Sequence, residues 1–142
     1  MESRGNDMPA PASKTERPCK VLVADDDAPN LLLARSVLEF FGCLVTTVSC
    51  GVAARDAMRL TVFDIVFLDI HMPDMSGIQV TEEVRSREAV TLHHVPILAM
   101  TASAMPVERA ACLAAGMDAI LLKPYRLEDV RVALETWCGR TF

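Results

Sequence analysis

Five short apolar runs recur along this 142-residue chain, and the intervals between them are far too long for hairpin turns. They are Val21-Leu22-Val23-Ala24, Leu44-Val45-Thr46-Thr47-Val48, Ile65-Val66-Phe67-Leu68, Val95-Pro96-Ile97-Leu98-Ala99-Met100 and Ala119-Ile120-Leu121-Leu122. Their β-branched and aromatic content suits strands, and near-continuous apolarity suits strands covered on both faces. The intervals read as helices. Leu31, Ala34, Leu38 and Phe41 repeat at spacings of three and four, with Pro29 in the first turn and Gly42 as the stop. Val52 to Leu60 is a short Ala-rich helix, and Ser76 with Gln79 fits a capping box opening a helix from about residue 77 to 87 that buries Val80 and Val84. Pro106 opens a fourth helix through Ala110, Cys112 and Ala114, closed by Gly116. Leu127, Val130, Leu134 and Trp137 stripe the fifth, after which only residues 138–142 remain, so no output domain is expected to follow. Strands joined by helical crossovers lie parallel, and right-handed crossovers put every strand's carboxyl end on one edge. The expectation is a doubly wound α/β fold.

What stands at those carboxyl ends is unusual. The first run stops on Asp25, Asp26 and Asp27, the third on Asp69, the fourth on Thr101 and the fifth on Lys123. Each alone has a plain explanation: a helix cap, a turn carboxylate, a strand-end hydroxyl, a surface amine. Together they place acids, a hydroxyl and an amine at the edge where open α/β sheets bind ligands. Carboxylates about 4 Å apart repel by ~4 kcal/mol at an effective dielectric of 20, so the cluster needs a cation. With neither Cys nor His among the strand tips, the oxygen-only donor set favours a hard ion, Mg²⁺. A carboxylate beside such an ion, a lysine and a hydroxyl can carry a phosphoryl group whose oxygens are neutralised on all sides. Asp69 is the candidate nucleophile.

Composition closes off other classes. A net charge of −5 and 5% aromatic residues argue against the basic, stacking surface that binds nucleic acid. Five cysteines, odd in number and without a CxxC pair, suggest neither a disulfide framework nor a zinc site, which fits a reducing cytoplasm. His93 and His94 are adjacent and read as solvated loop residues. No apolar run is long enough to span a membrane. Residues 1–18, Pro-rich and aperiodic, are expected to be a disordered tail before a single domain at 19–142.

Four blocks carry a resemblance: DDD at 25–27 after VLVA, FLDIHMPDMSG at 67–77, PILAMTASA at 96–104 and LLKPY at 121–125. In order and spacing, over about residues 20–138, they resemble the receiver domain of two-component response regulators. The resemblance implies a flavodoxin-like (βα)5 sandwich with five parallel strands in the order 2-1-3-4-5. It implies that Asp25 and Asp26 are an acidic metal-binding pair, Asp69 the phosphoacceptor and third metal carboxylate, Thr101 the switch hydroxyl and Lys123 the phosphate-contacting amine. It adds the backbone carbonyl of His71 as a Mg²⁺ ligand. The donor would be a histidine kinase or histidine phosphotransfer protein. A downstream protein would engage the 104–137 face, which is also where receivers dimerise on phosphorylation. Such a protein is cytoplasmic and catalyses only its own phosphotransfer and dephosphorylation. One position departs: Ile120 stands where many receivers carry Tyr or Phe, so an aromatic ring cannot follow Thr101 as the switch. More loosely, GCLVTTVSCG at 42–51 resembles receivers at the end of plant ethylene receptors and other hybrid kinases. The nearest enzymatic rival, a phosphatase of the haloacid dehalogenase type, places a second Asp two residues after its nucleophile, where this chain has His71. A flavodoxin-like FMN carrier would hold its phosphate on the first β-α loop, where Asp25 to Asp27 would repel it, and a degenerate receiver used only for docking would not need the full set of acceptor, acids, hydroxyl and lysine.

Overall fold

A computed structural model describes residues 17–103 and 105–142. Five strands, β1 (Lys20–Ala24), β2 (Leu44–Val48), β3 (Ile65–Asp69), β4 (Ile97–Thr101) and β5 (Ala119–Leu122), form one parallel sheet in the order β2-β1-β3-β4-β5. Five helices alternate with them: α1 (Ala28–Phe40), α2 (Gly51–Leu60), α3 (Gly77–Thr91), α4 (Pro106–Ala115) and α5 (Leu127–Cys138). The register pairs Val21 with both Val45 and Ile65, Phe67 with Leu98, and Thr101 with Leu122, which sets the strand tips side by side.

The period-2 alternation of each strand sorts its side chains into two cores. Leu22, Val66, Leu68, Ile97 and Ala99 face Ala54 of α2, Val80 and Val84 of α3, and Cys112 of α4. Val21, Val23, Ile65, Phe67, Leu98, Met100 and Leu121 face Ala34 and Leu38 of α1 and Val130, Ala133 and Leu134 of α5. β1, β3 and β4 lie inside the sheet, and the apolar residues of β3 and β4 are essentially fully buried. β2 is an edge strand, and its threonines sit where exposure allows them.

Local signals explain the helix ends. Asp27 accepts from the Asn30 amide at 3.0 Å to cap α1, and Pro29 sits in its first turn. Ser76 and Gln79 make the expected capping box of α3, with bonds of 3.0 and 3.1 Å. Gly116, at φ +108, closes α4.

Two boundaries and one helix stripe differ from the sequence reading. β4 starts at Ile97, because Pro96 has no N–H for a ladder; its carbonyl accepts from Val66 at 2.9 Å. α3 runs beyond Arg87 to Thr91: Arg85 pairs with Glu88 at 2.6 Å and Asp118 at 2.9 Å, bracing the last turns, and Leu92 ends the helix in the left-handed region at φ 61. In α5 the buried stripe is Val130, Ala133 and Leu134, while Leu127 is half exposed at the first turn. The expected disordered tail lies, for residues 1–16, outside the described residues; Arg17 forks onto Asp64 at 3.1 and 3.2 Å. Among the described residues no helix is long and apolar enough to cross a membrane.

Candidate functional site

The carboxyl edge is built from three buried strands. β3 delivers Asp69, 8% exposed, and β1 delivers Asp25, 1% exposed, to its immediate exit. Asp26, one residue further, points to solvent. Each of the three offers a carboxylate oxygen, and these oxygens all lie within 4.8 Å of one another. Buried charge of this kind is costly unless compensated. Lys123, just past β5, supplies part of the compensation: its Nζ lies 2.9 Å from Asp25 Oδ2 and 3.6 Å from Asp69 Oδ2. Backbone amides supply more, His71 N–H donating to Asp69 Oδ1 at 3.0 Å and Asp27 N–H to Asp25 Oδ1 at 2.9 Å.

The balance remains one-sided. Three carboxylates face one ammonium, and the protein's own groups leave Asp69 strained. Burial, reinforced by Asp25, pushes its carboxyl above the usual range, although the His71 amide and Lys123 pull the other way. For Lys123, burial works against the charge, but the hydrogen bond to Asp25 and the two carboxylates outweigh it and raise the amine. The cluster accommodates a further positive charge, and its all-oxygen donor set is that of a hard divalent ion.

Thr101, 4% exposed at the tip of β4, occupies the next position along the edge. Its hydroxyl accepts from the Ser103 amide at 3.0 Å and donates to Glu108 Oε1 at 3.3 Å. Glu108 also takes His71 Nε2 at 2.8 Å. The imidazole of His71 therefore reaches across to α4 while its main-chain amide serves Asp69.

All the singled-out residues, Asp25, Asp26, Asp69, His71, Thr101 and Lys123, lie on this one edge. Two others were not found from the sequence. Glu108, in the first turn of α4, ties the loop after β3 to the Thr101 hydroxyl; in the sequence it is one more helix-surface acid, and only the fold brings it opposite residue 71. Asp74 accepts from the amides of Gly51 and Val52 at 2.9 and 3.0 Å, capping α2 across space because Cys50 provides no side-chain cap. In the sequence Asp74 lies between the run ending on Asp69 and the capping box at Ser76, with no local sign of its target. The same loop packs backbone on backbone. A Cβ on Gly77 would stand 2.4 Å from the Asp69 carbonyl oxygen, and one on Gly51 1.9 Å from that of Met75, so both positions need glycine for close approach.

Known proteins resemble this chain in sequence and fold. A family model described as the response regulator receiver domain matches residues 21–135. Among curated relatives, the sensor protein GacS of Pseudomonas syringae pv. syringae is 39% identical over 126 residues, which cover 88% of this chain and 14% of that protein. Probable histidine kinase 1 of Oryza sativa subsp. indica is 30% identical over 154 residues, covering 88% of this chain and 16% of that one. The chain thus spans only about one seventh of the length of these relatives. Among solved structures, the receiver domain of sensor histidine kinase PA1611 from Pseudomonas aeruginosa PAO1 superposes with a TM-score of 0.80 at 30% identity, covering 87% of this chain and 100% of that one; it holds a magnesium ion coordinated in its active site cleft. Nothing in these likenesses supports a haloacid dehalogenase phosphatase or an FMN carrier. The strand order is that of receiver domains, and the family match runs from β1 into α5. This chain belongs to the response regulator receiver domain family of two-component phosphorelay signalling.

Proposed function

We propose that residues 19–142 act as one receiver unit in which Asp69 accepts a phosphoryl group from the phosphohistidine of a histidine kinase or histidine phosphotransfer protein. The observation that carries this reading is the convergence of Asp25, Asp26 and Asp69 within 4.8 Å beside the Lys123 amine. Asp25, Asp26, Asp69 and the main-chain carbonyl of His71 would hold Mg²⁺, as the magnesium in the PA1611 receiver supports. The ion would neutralise charge gathering on the phosphoryl oxygens. Asp69 is the nucleophile: a carboxylate oxygen forms the new bond to phosphorus as the bond to the histidine nitrogen breaks. Burial disfavours the free carboxylate, so converting it to an acyl phosphate removes an energetic penalty from that atom while Lys123 pairs with the incoming charge. Beyond this self-directed phosphotransfer and dephosphorylation the unit has no proposed enzymatic activity, and its proposed location is the cytoplasm.

The phosphoryl group brings about −1.5 to −2 charge and three acceptor oxygens. Thr101 is the nearest neutral donor in this scheme, and its hydroxyl is occupied by Glu108. We infer that the phosphoryl group draws the hydroxyl from Glu108, releasing the first turn of α4 and shifting the loop at 102–104, of which Ala104 lies outside the described residues. Ile120 has no ring to rotate into the vacated space, so the response stays in that loop and in α4. The 104–137 face then meets the downstream protein or a second copy on phosphorylation. Its exposed Met105, Val107, Leu113, Leu122 and Val132 favour such contact.

Intact-protein mass spectrometry with acetyl phosphate and magnesium tests the acceptor. The protein is expected to gain one phosphoryl group, and EDTA or Asp69→Asn to abolish the gain. Undiminished labelling of the Asn variant places the acceptor elsewhere.

A further inference from the structure

At the opposite end of the sheet, the fold gathers three cysteines that are far apart in sequence. Cys19 enters β1, Cys43 enters β2, and Cys138 ends α5, whose direction returns it to the amino edge of the sheet. Cys19 Sγ and Cys138 Sγ stand 3.2 Å apart across a sequence separation of 119 residues. All five cysteines are thiols in this structure. The arrangement is no metal site: among the described residues, the group of three ligating side chains that converges on one point is the aspartate cluster, so the three thiols do not surround a single ion.

Surroundings single out this pair. Cys19 is 1% exposed and Cys43 6%, whereas Cys138 is only partly buried, so one sulfur of the close pair is reachable and the other is protected. Cys19 and Cys138 share a hydrogen bond between their sulfurs, and this contact, with Cys43 and Arg140 beside it, pulls the Cys19 thiol well below the ordinary thiol range despite burial. Cys138, sharing its proton with Cys19 and partly desolvated, is raised. Cys43 is raised for the same reasons.

We propose that Cys19 and Cys138 form a reversible redox pair that closes to a disulfide when the protein meets a hydroperoxide. The Cys138 sulfur, the reachable one of the pair, attacks the terminal peroxide oxygen; the O–O bond breaks, Cys138 becomes a sulfenic acid, and the thiol proton passes through solvent to the leaving oxygen. The Cys19 thiolate then attacks the Cys138 sulfur: an S–S bond forms, the S–O bond breaks, and the departing hydroxide takes a solvent proton and leaves as water. The pair gives up two electrons to the peroxide, and a dithiol reductant returns them by exchange. A closed S–S bond is about 2.05 Å long, so the sulfurs approach by about 1 Å. Cys138 is the final residue of its helix, followed by Gly139 in the left-handed region at φ 69, where the backbone can supply that movement. The bond fastens the end of α5 to the start of β1, remote from Asp69, and its formation does not require the phosphoacceptor reading.

The full chain, reduced and then freed of reductant, is treated with hydrogen peroxide, blocked with N-ethylmaleimide under denaturing conditions and weighed. Two of the five thiols become unreactive, and a peptide joining Cys19 to Cys138 appears. Dithiothreitol restores all five. Cys138→Ala and Cys19→Ser abolish the linked peptide, and Cys43→Ser retains it. The oxidised protein melts on the order of 10 °C above the reduced one, since the bond closes a loop of most of the chain; Cys138→Ala removes that difference. Retention of all five reactive thiols in the oxidised wild type, a Cys19–Cys43 linkage that survives in Cys138→Ala, or bonds only between chains overturns the proposal.

Discussion

Replacing Asp26 by Asn stabilises the metal-free protein and destabilises it relative to wild type once magnesium is present, so the two melting curves exchange order. Asp26 is the exposed member of a cluster whose oxygens lie within 4.8 Å of one another, and the Lys123 amine contacts the other two members. Because Asp26 faces water, the high dielectric applies. Its two repulsions are each about 0.9 kcal/mol at that separation, and salt screening brings their sum to about 1 kcal/mol. Asn keeps the shape without the charge, so in EDTA the variant melts about 4 °C higher. Magnesium reverses the order, since an ion at a hundredfold excess over its Kd adds about 2.7 kcal/mol to the native state. Wild type, with its three carboxylates, gains the full amount and the variant gains less. Circular dichroism melts in EDTA and in millimolar magnesium provide the assay, at two salt concentrations because screening must shrink the EDTA difference. A variant that melts below wild type in EDTA, or melts that do not respond to magnesium, would refute the convergence of these carboxylates on one cation.

Asp69 gives a pH signature. Its native carboxyl is raised, mainly by burial, so from about pH 4 upward the native state holds a proton that the unfolded chain has lost; stability falls as pH rises through that window. In metal-free buffer the Tm advantage of Asp69→Asn over wild type is expected to grow from about pH 4 upward, and an advantage constant with pH would exclude a raised Asp69. Asp74 behaves oppositely: the amides of Val52 and Gly51 lower it to about 2, so its contribution is present at neutral pH and is lost as pH falls through the ordinary Asp range. Asp74→Ala should lower Tm by about 3 °C at pH 7 and by less near pH 2, with amide exchange speeding up first at residues 51–54; unchanged exchange there would mean that the cap contributes nothing. Thr101→Ala should still bind beryllofluoride yet lose the amide chemical-shift changes from about residue 103 to 115, and their persistence would acquit Thr101 of the coupling.

Much of the fold was legible because the strands are internal. Continuous burial on both faces demanded apolar runs such as 65–68 and 97–100, and the long helical intervals then fixed parallel pairing. The acid cluster was legible for a related reason: a carboxylate that follows directly on a buried strand has only the sheet edge to occupy. Helix ends were less so. The continuation of α3 to Thr91 depends on Arg85 meeting Asp118, a contact 33 residues away that no local pattern announces. Glu108 and Asp74 act on partners brought near only by the completed fold, and the three clustered cysteines looked scattered for the same reason. Position 71 was read for its main chain alone, and the bond between its imidazole and α4 went unseen.

The two cores close at different moments of synthesis. The face carrying Leu22, Val66 and Ile97 has its helical cover, α2 to α4, in the chain before β5 is made. The other face has only α1 until the last helix, whose Leu134 and Val130 complete it. A nascent chain that has emerged through β5 therefore presents Val23, Phe67, Met100 and Leu121 as a half-covered hydrophobic surface. That makes the stretch 127–138 the latch of biogenesis, and an interruption before it would yield a sheet that chaperones and proteases recognise as unfinished.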